Sequence, residues 1–204
     1  LEQDDRPDAG LPNARNFSLG GSGFEGQTAP VRRSNFYGYS SDYRNVETDT
    51  VTGRLEHSFG NGVTLRNVTR FARVHNDQLI SSPRFVGAVT TLGPTTQAVG
   101  NRKPRTQTDK LFVNQTSLTA EFDTGGLKHT LVVGGEYVDE SNHNRRRLDA
   151  NGPATNLFDP VLQAAPDIAY NGTRARTDVE TKSLYLFDTI EIGEQWRIVG
   201  GLRH

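Results

Sequence analysis

The stretch Thr48 to Phe71, TDTVTGRLEHSFGNGVTLRNVTRF, decides how this chain reads. The run that contains its first half, Asn45 to Phe59, puts Val51, Leu55 and Phe59 on one face. Thr50, Thr52, Arg54, Glu56 and Ser58 fall on the other. Apolar and polar residues that alternate with a period of two over this length specify a strand with one face in an apolar medium and one in water. Gly60-Asn61-Gly62 follows, three residues that tolerate positive φ and suit a tight hairpin. The chain then returns through Val63 to Asn76, with Leu65 and Phe71 on one side and Arg66 and Arg70 on the other.

The same design recurs twice. Thr106 to Asp123 sets Phe112, Leu118, Ala120 and Phe122 against Gln115, Ser117, Thr119 and Glu121. It turns at Thr124-Gly125-Gly126 and returns over Leu127 to Asn144, where Leu127, Leu131, Val133 and Tyr137 oppose Lys128, Thr130 and Glu136. A third hairpin runs from about Thr173 to Ile192, turns at Gly193-Glu194-Gln195 and leaves through Trp196 to His204. Trp196, Ile198 and Leu202 alternate there with Arg197 and Arg203. Three places break the pattern. Asn67 and Gly135 interrupt apolar faces, and Leu184 and Leu186 compete with Tyr185 and Phe187 for the outer face of the strand over 179–192.

Long connections rich in Gly, Pro, Asn and Ser separate the hairpins: Leu1 to Arg44, Ser81 to Arg105 and Ser141 to Thr177. Asp159 to Ala165 has room for one helical turn, kept short by Pro160 and Pro166, and no longer helix is predicted. Tight turns at one end and long loops at the other are the asymmetry of bacterial transmembrane barrels, with short periplasmic turns and long extracellular loops. The predicted strands of about 15–20 residues exceed the ~9–11 that cross hydrocarbon, so they project beyond the bilayer. Phe59, Phe122 and Trp196 lie beside the tight turns, where an interfacial aromatic girdle belongs. A soluble β-sandwich or small closed barrel alternates too, but its strands run to about 5–6 residues. The expected class is therefore all-β: an antiparallel transmembrane β-barrel segment of about six long strands. Barrels with a plugged lumen have about 22 strands, so six form part of a wall. Residues 1–204 read as one partial barrel domain, with Leu1 and His204 as cuts in a longer chain.

Composition fits a sheet wetted on one face. Only 33% of residues are apolar, with 21 Gly and 9 Pro in 204 residues, which is too little for an ordinary soluble core. The balance of 23 basic and 24 acidic residues, net −1, offers no basic footprint for nucleic acid. The absence of cysteine removes disulfides, thiol catalysis and Cys-ligated metals. No run approaches the ~18 apolar residues of a membrane helix, which leaves a membrane barrel open.

Several stretches resemble TonB-dependent siderophore receptors. They are Arg6-Pro7-Asp8-Ala9-Gly10-Leu11-Pro12, Pro30 to Tyr39 (PVRRSNFYGY), the Thr48 to Phe71 hairpin, Asn114 to Tyr137 (NQTSLTAEFDTGGLKHTLVVGGEY) and Tyr185 to His204 (YLFDTIEIGEQWRIVGGLRH). Within that family the resemblance is to receptors of the catecholate type. It implies a 22-stranded barrel in the bacterial outer membrane around an N-terminal plug. It also implies import of ferric siderophore energised by TonB, with iron entering only as chelated cargo and no cofactor of the protein's own. Neither the plug nor the TonB-contacting segment is recognisable in these residues. Outer-membrane lipid and lipopolysaccharide are the implied surroundings. A porin-like barrel without TonB coupling and a soluble β-sheet binding domain are the alternatives.

Ferric catecholates are anionic and aromatic, so guanidinium groups and stacking rings are the side chains that recognise them. Arg84, Arg102, Lys103 and Arg105 lie in the 81–105 connection, and Arg145, Arg146, Arg147, Arg174 and Arg176 in the next. Arg32, Arg33, Phe36, Tyr37 and Tyr39 form a third cluster. The ligand-binding candidates are Arg32, Arg33, Phe36, Tyr37, Arg84, Arg105 and Arg146, against the plainer reading that exterior cations are solvated or meet lipopolysaccharide phosphates. Arg54, Glu56, Arg66, Arg70, Glu121, Lys128 and Glu136 read as wall ion pairs or plug contacts. Four N-x-S/T tripeptides, at Asn16, Asn67, Asn114 and Asn171, carry no glycosylation reading in a bacterial barrel, and two fall inside strands. Gly20-Gly21-Ser22-Gly23 lacks the strand and helix of a phosphate loop, and the five His residues show no metal spacing. No turn bears a recognisable nucleophile, so no enzyme is predicted.

Overall fold

The computed structural model describes residues 2–4, 30–87, 89 and 92–204. The described residues form no helix, and eight strands make one sheet: β1 (Glu2–Asp4), β2 (Tyr43–Gly60), β3 (Val63–Phe85), β4 (Gln97–Thr124), β5 (Leu127–Arg147), β6 (Asn151–Asn156), β7 (Tyr170–Ile192) and β8 (Trp196–Arg203). Their order is β1-β2-β3-β4-β5-β7-β8, with β6 pairing on β4. The expected all-β architecture of three long hairpins is borne out.

The turns follow from residues that accept a left-handed backbone. Asn61 and Gly62 have φ of 52° and 77°, and Gly125 and Gly126 have 58° and 83°. Positive φ at both central positions is the two-residue turn whose twist matches a hairpin. Gly193, with φ 62°, opens the three-residue turn into β8.

The chain divides into two compact units. The first comprises Leu1–Glu47, His75–Thr108 and Asn144–Ala175, and the second Thr48–Val74, Asp109–His143 and Arg176–His204. The second unit has two contrasting faces. Val51, Leu55, Phe59, Phe122, Trp196 and Leu202 on one face are 44% to 80% exposed. The opposite face carries ion pairs, Arg66 with Glu56 at 2.8 Å and Arg203 with Glu136 at 2.7 Å, and Arg197 with Glu191. Among the residues expected there, Arg54, Arg70, Glu121 and Lys128 make no ion pair within the described residues. Leu186 pairs with Leu202 and Ile190 with Ile198 in the β7–β8 register. Leu184 and Leu186 therefore belong to the apolar face. Tyr185 and Phe187 lie on the polar face, over Gly134 and Gly201, where an added Cβ would overlap their rings.

The first unit holds the core. Tyr37, Phe85, Ala98 and Leu157 are buried together, with Val31, Val89, Leu92 and Phe158 packed against them. Asp42 and Arg102, each about 1% exposed, form an ion pair at 3.7 Å, and the Ser81 hydroxyl donates to Asp42 at 3.0 Å.

Three expectations need correction. The 81–105 connection shrinks, because β3 runs to Phe85 and β4 starts at Gln97. The 141–177 connection likewise gives way to the end of β5, to β6 and to the start of β7. Backbone pairing continues through segments whose Pro, Asn and Ser content suggested loops, since neighbouring strands supply partners that local composition does not reveal. Asp159 to Ala165 forms no helical turn. Its peptide groups bond elsewhere, Val161 N–H to the Thr155 hydroxyl at 2.8 Å and Ala165 N–H to the Ser41 hydroxyl at 3.0 Å. The Arg6–Pro12 stretch, the Asn16 tripeptide and the Gly20–Gly23 run lie outside the described residues.

Candidate ligand-binding face

Register decides which cations meet. On β3 and β4, Asn67 bonds Thr116, Asn114 bonds Thr69, His75 bonds Thr108 and Asp77 accepts from Thr106. The ladder is still in step at its far end, where Val86 N–H donates to the Gln97 carbonyl at 3.1 Å. The same step sets Arg105 opposite Gln78 and Lys103 opposite Ile80. On β4 and β5, Asn142 donates to Asp109 at 2.5 Å. Carried four residues further, that register sets Arg105 opposite Arg146.

Alternation along the strands fixes the face. Arg102 and Thr106 are buried, whereas Lys103 and Arg105 between them are exposed. Arg147 is buried and Arg146 exposed. Lys103, Arg105 and Arg146 therefore share the face opposite the core, flanked on β3, β4 and β5 by Asn76, Gln78, Gln107 and Asn144. No carboxylate occupies that face of these three strands within the first unit. Like charges directly opposite each other destabilise a sheet, so the Arg105–Arg146 pair favours an anion between or above its guanidinium groups. Amide side chains around it supply further donors.

The other sequence-predicted residues stand apart from this trio, although Arg84 shares the face of Asn76 and Gln78 on β3. Arg84 is half-buried further along β3, where its guanidinium donates to the Ser82 hydroxyl at 3.2 Å and the Pro83 carbonyl at 3.1 Å. Arg32 and Arg33 are exposed before β2, and Phe36 is half-buried. Tyr37 is a core residue at 1% exposure. Its hydroxyl donates to the Leu157 carbonyl at 2.5 Å, and burial raises its pKa above the usual phenol value. Lys103 counts among the cations of the 81–105 connection but not among the ligand-binding candidates, although its two-residue spacing from Arg105 on a strand shows that they share a face. Arg44 is exposed too, but it lies on β2, outside these three strands.

A separate cleft of about 680 Å³ is lined by Leu92, Gly93, Pro94, Asn156, Phe158 and Asp159. It has no cation in that lining and does not suit an anion. Among the described residues no group of three or more His, Cys, Asp or Glu residues could hold a metal ion.

The profile of the family described as TonB dependent receptor-like, beta-barrel matches residues 2–204. A catecholate siderophore receptor, Fiu of Escherichia coli O6:H1, is 32% identical over 214 residues, which takes in 100% of this chain and 28% of that protein. A probable TonB-dependent siderophore receptor, PiuA of Acinetobacter baumannii, is 32% identical over 233 residues, covering 100% of this chain and 29% of its own length. The crystal structure of the ferric-catecholate import receptor Fiu from E. coli K12 in its open form superposes with a TM-score of 0.82 at 28% identity, over 98% of this chain and 32% of that one. The chain thus spans less than a third of the relatives it matches. With the profile covering almost its whole length, this chain belongs to the TonB-dependent receptor-like β-barrel family.

Proposed function

We propose that the chain is part of the wall of a bacterial outer-membrane receptor that binds and imports ferric siderophore of the catecholate type. The receptor is a transporter with no catalytic step. Iron is cargo, carried inside its chelator. TonB and a plug act through parts of the receptor beyond these residues, in a barrel of 22 strands. The observation that carries the reading is the trio Lys103, Arg105 and Arg146, which register and alternation put on one face where β3, β4 and β5 carry no carboxylate within the first unit. A tri-anionic ferric tris-catecholate relieves that repulsion, and its ring oxygens accept from guanidinium and amide N–H groups.

The membrane reading has its own support in the second unit. The stretches Val51 to Gly60 of β2 and Leu184 to Ile192 of β7, the second with Asp188 on its apolar face paired to His129 at 2.8 Å, match the ~9–11 residues a tilted strand needs to cross hydrocarbon. The next residues outward on the apolar face are ion-paired, Asp49 with Arg73 at 3.2 Å and Lys182 with Glu180. Charges in that row suit the headgroup zone of phospholipid and lipopolysaccharide.

The test uses the whole receptor in cells lacking their other ferric-chelate receptors. Uptake of ⁵⁵Fe supplied with 2,3-dihydroxybenzoate should depend on the receptor and on TonB. An Arg105→Gln/Arg146→Gln receptor at equal surface level should lose most of that uptake. Uptake of this probe no greater than in receptor-less cells would reject the catecholate reading.

A further inference from the structure

Behind the exposed pair lies a buried polar cluster that the ligand reading leaves without a role. The Arg147 guanidinium, with its side chain 5% exposed, donates to Asp77 Oδ1 at 2.9 Å, to the Tyr43 hydroxyl at 3.0 Å and to the Tyr170 hydroxyl at 3.3 Å. Its other terminal nitrogen donates to Asp167 at 3.2 Å. Asp77 accepts in addition from the Thr106 hydroxyl at 2.8 Å and the Tyr43 hydroxyl at 3.2 Å. Two cations lie over the Tyr170 ring, Arg145 at 4.1 Å and Arg147 at 4.8 Å from its centroid. One carboxylate and one guanidinium thereby join β2, β3, β4, β5 and β7.

Two members of this cluster are chain neighbours of the exposed cations: Thr106 adjoins Arg105 and Arg147 adjoins Arg146. In a strand, adjacent side chains point to opposite faces, so the cluster and the cation pair stand back to back on the same backbone. Two guanidinium groups held opposite each other repel, and the strands carrying them gain by shearing or splaying apart. A fork of charge-assisted hydrogen bonds across five strands opposes that movement, because a planar guanidinium fixes direction as well as distance.

We propose that Asp77 and Arg147 are positioning residues, and that their cluster holds Arg105 and Arg146 at the spacing an anionic ferric chelate requires. This rests on the anion-binding reading of that pair. Electrostatics and positioning predict opposite signs for one substitution, which makes the idea testable. Asp77→Asn removes a negative charge from behind the basic face. By field alone it tightens binding of an anion; by loss of positioning it weakens it.

The experiment measures binding of ferric 2,3-dihydroxybenzoate to the whole receptor, purified in detergent, over a range of salt concentrations. Asp77→Asn is expected to weaken binding roughly ten-fold at low salt and to flatten its salt dependence, since cations held out of register neutralise less ligand charge. Arg147→Lys, which keeps the charge and loses the fork, should shift both readouts in the same direction by less. Tyr170→Phe and Thr106→Val leave the charge unchanged. They decide in the same way if Asp77→Asn fails to reach the membrane. Unchanged or tighter binding with an unchanged salt slope in Asp77→Asn, or in both neutral variants where these have to decide, overturns the proposal. An Arg105→Gln/Arg146→Gln receptor that binds like the wild type removes the site itself, a failure distinguishable because it does not depend on Asp77.

Discussion

Asn67 donates its side-chain amide to the Thr116 hydroxyl at 2.7 Å, and this bond is one side of a closed ring. Thr116 donates to Asn114 at 3.3 Å, Asn114 to Thr69 at 2.7 Å, and Thr69 back to Asn67 at 3.1 Å. The ring consists of two of the N-x-T tripeptides, Asn67-Val68-Thr69 on β3 and Asn114-Gln115-Thr116 on β4. Period-two geometry places Asn and Thr of each tripeptide on one face, and the β3–β4 register brings the two pairs together. It also accounts for Asn67 on an otherwise apolar face: a polar group in an apolar medium is tolerated when its hydrogen bonds close on themselves.

The ring predicts strong non-additivity. Thr116→Val leaves the Asn67 amide and the Asn114 carbonyl oxygen each without this partner, and should cost about 1–3 kcal/mol. Replacing all four residues with Val should cost much less than four such losses, because no polar group is stranded. Unfolding in detergent or refolding into vesicles, measured for singles and the quadruple, checks this. Costs that simply add would show that the ring is not a unit.

The six long strands and their turns were legible because alternation is a local signal and glycine marks a left-handed turn. Strand ends were not. β3 extends to Phe85 through Pro83, and β4 begins at Gln97 well before Pro104. The bonds that sustain these extensions come from the neighbouring strand, which composition does not report. The face of β7 stayed ambiguous because both of its faces are apolar at 184–187. Only the pairing of Leu186 with Leu202, and the seating of Tyr185 over Gly134, separate them. Of the candidate site, the residue types were legible and the grouping was not. Arg105 and Arg146 stand together through register across β4 and β5. Tyr37 reads the same in sequence as a stacking ligand contact, yet it belongs to the core.

The two faces of β7 should differ sharply in tolerance to charge. Leu186 lies on the apolar face, 44% exposed and opposite Leu202. Leu186→Arg should destabilise by about 2–4 kcal/mol if that face meets the hydrocarbon midplane. Phe187→Arg, one residue along, points to the polar face beside Gly201 and should cost far less through hydration, its cost coming from lost packing alone. Folding titrations into phosphatidylcholine vesicles measure both. Equal costs would mean that the apolar face does not meet lipid.

Tyr39 has its ring against Gly100 and Gly152, so closely that a Cβ on either would overlap it. The Gly100 N–H donates to its hydroxyl at 2.8 Å, and the hydroxyl donates to the Pro153 carbonyl at 2.9 Å. Burial is the largest cause raising the pKa of Tyr37, Tyr39 and Tyr43 above the ordinary 10.0; the negative charge of Asp42 adds to it for Tyr39 and that of Asp77 for Tyr43. A phenol whose folded pKa exceeds its unfolded value favours the folded state while both forms are neutral. Its contribution is complete below about pH 10 and disappears as pH rises through the folded pKa. The loop segment held by Tyr39 should therefore stay ordered to about pH 10 and loosen above it. Phenolate absorbance should show these three rings resisting ionisation at pH 10, and their ionisation at higher pH should bring rising protease sensitivity in the 30–42 segment. Tyr39→Phe keeps the ring over Gly100 but strands the Gly100 N–H and leaves the Pro153 carbonyl only the Gln163 side-chain amide, at 3.4 Å. It should bring the same sensitivity down to neutral pH at a cost of about 1–3 kcal/mol. If the wild type and Tyr39→Phe lose protection at the same pH, the hydroxyl is not what fastens the segment to β4.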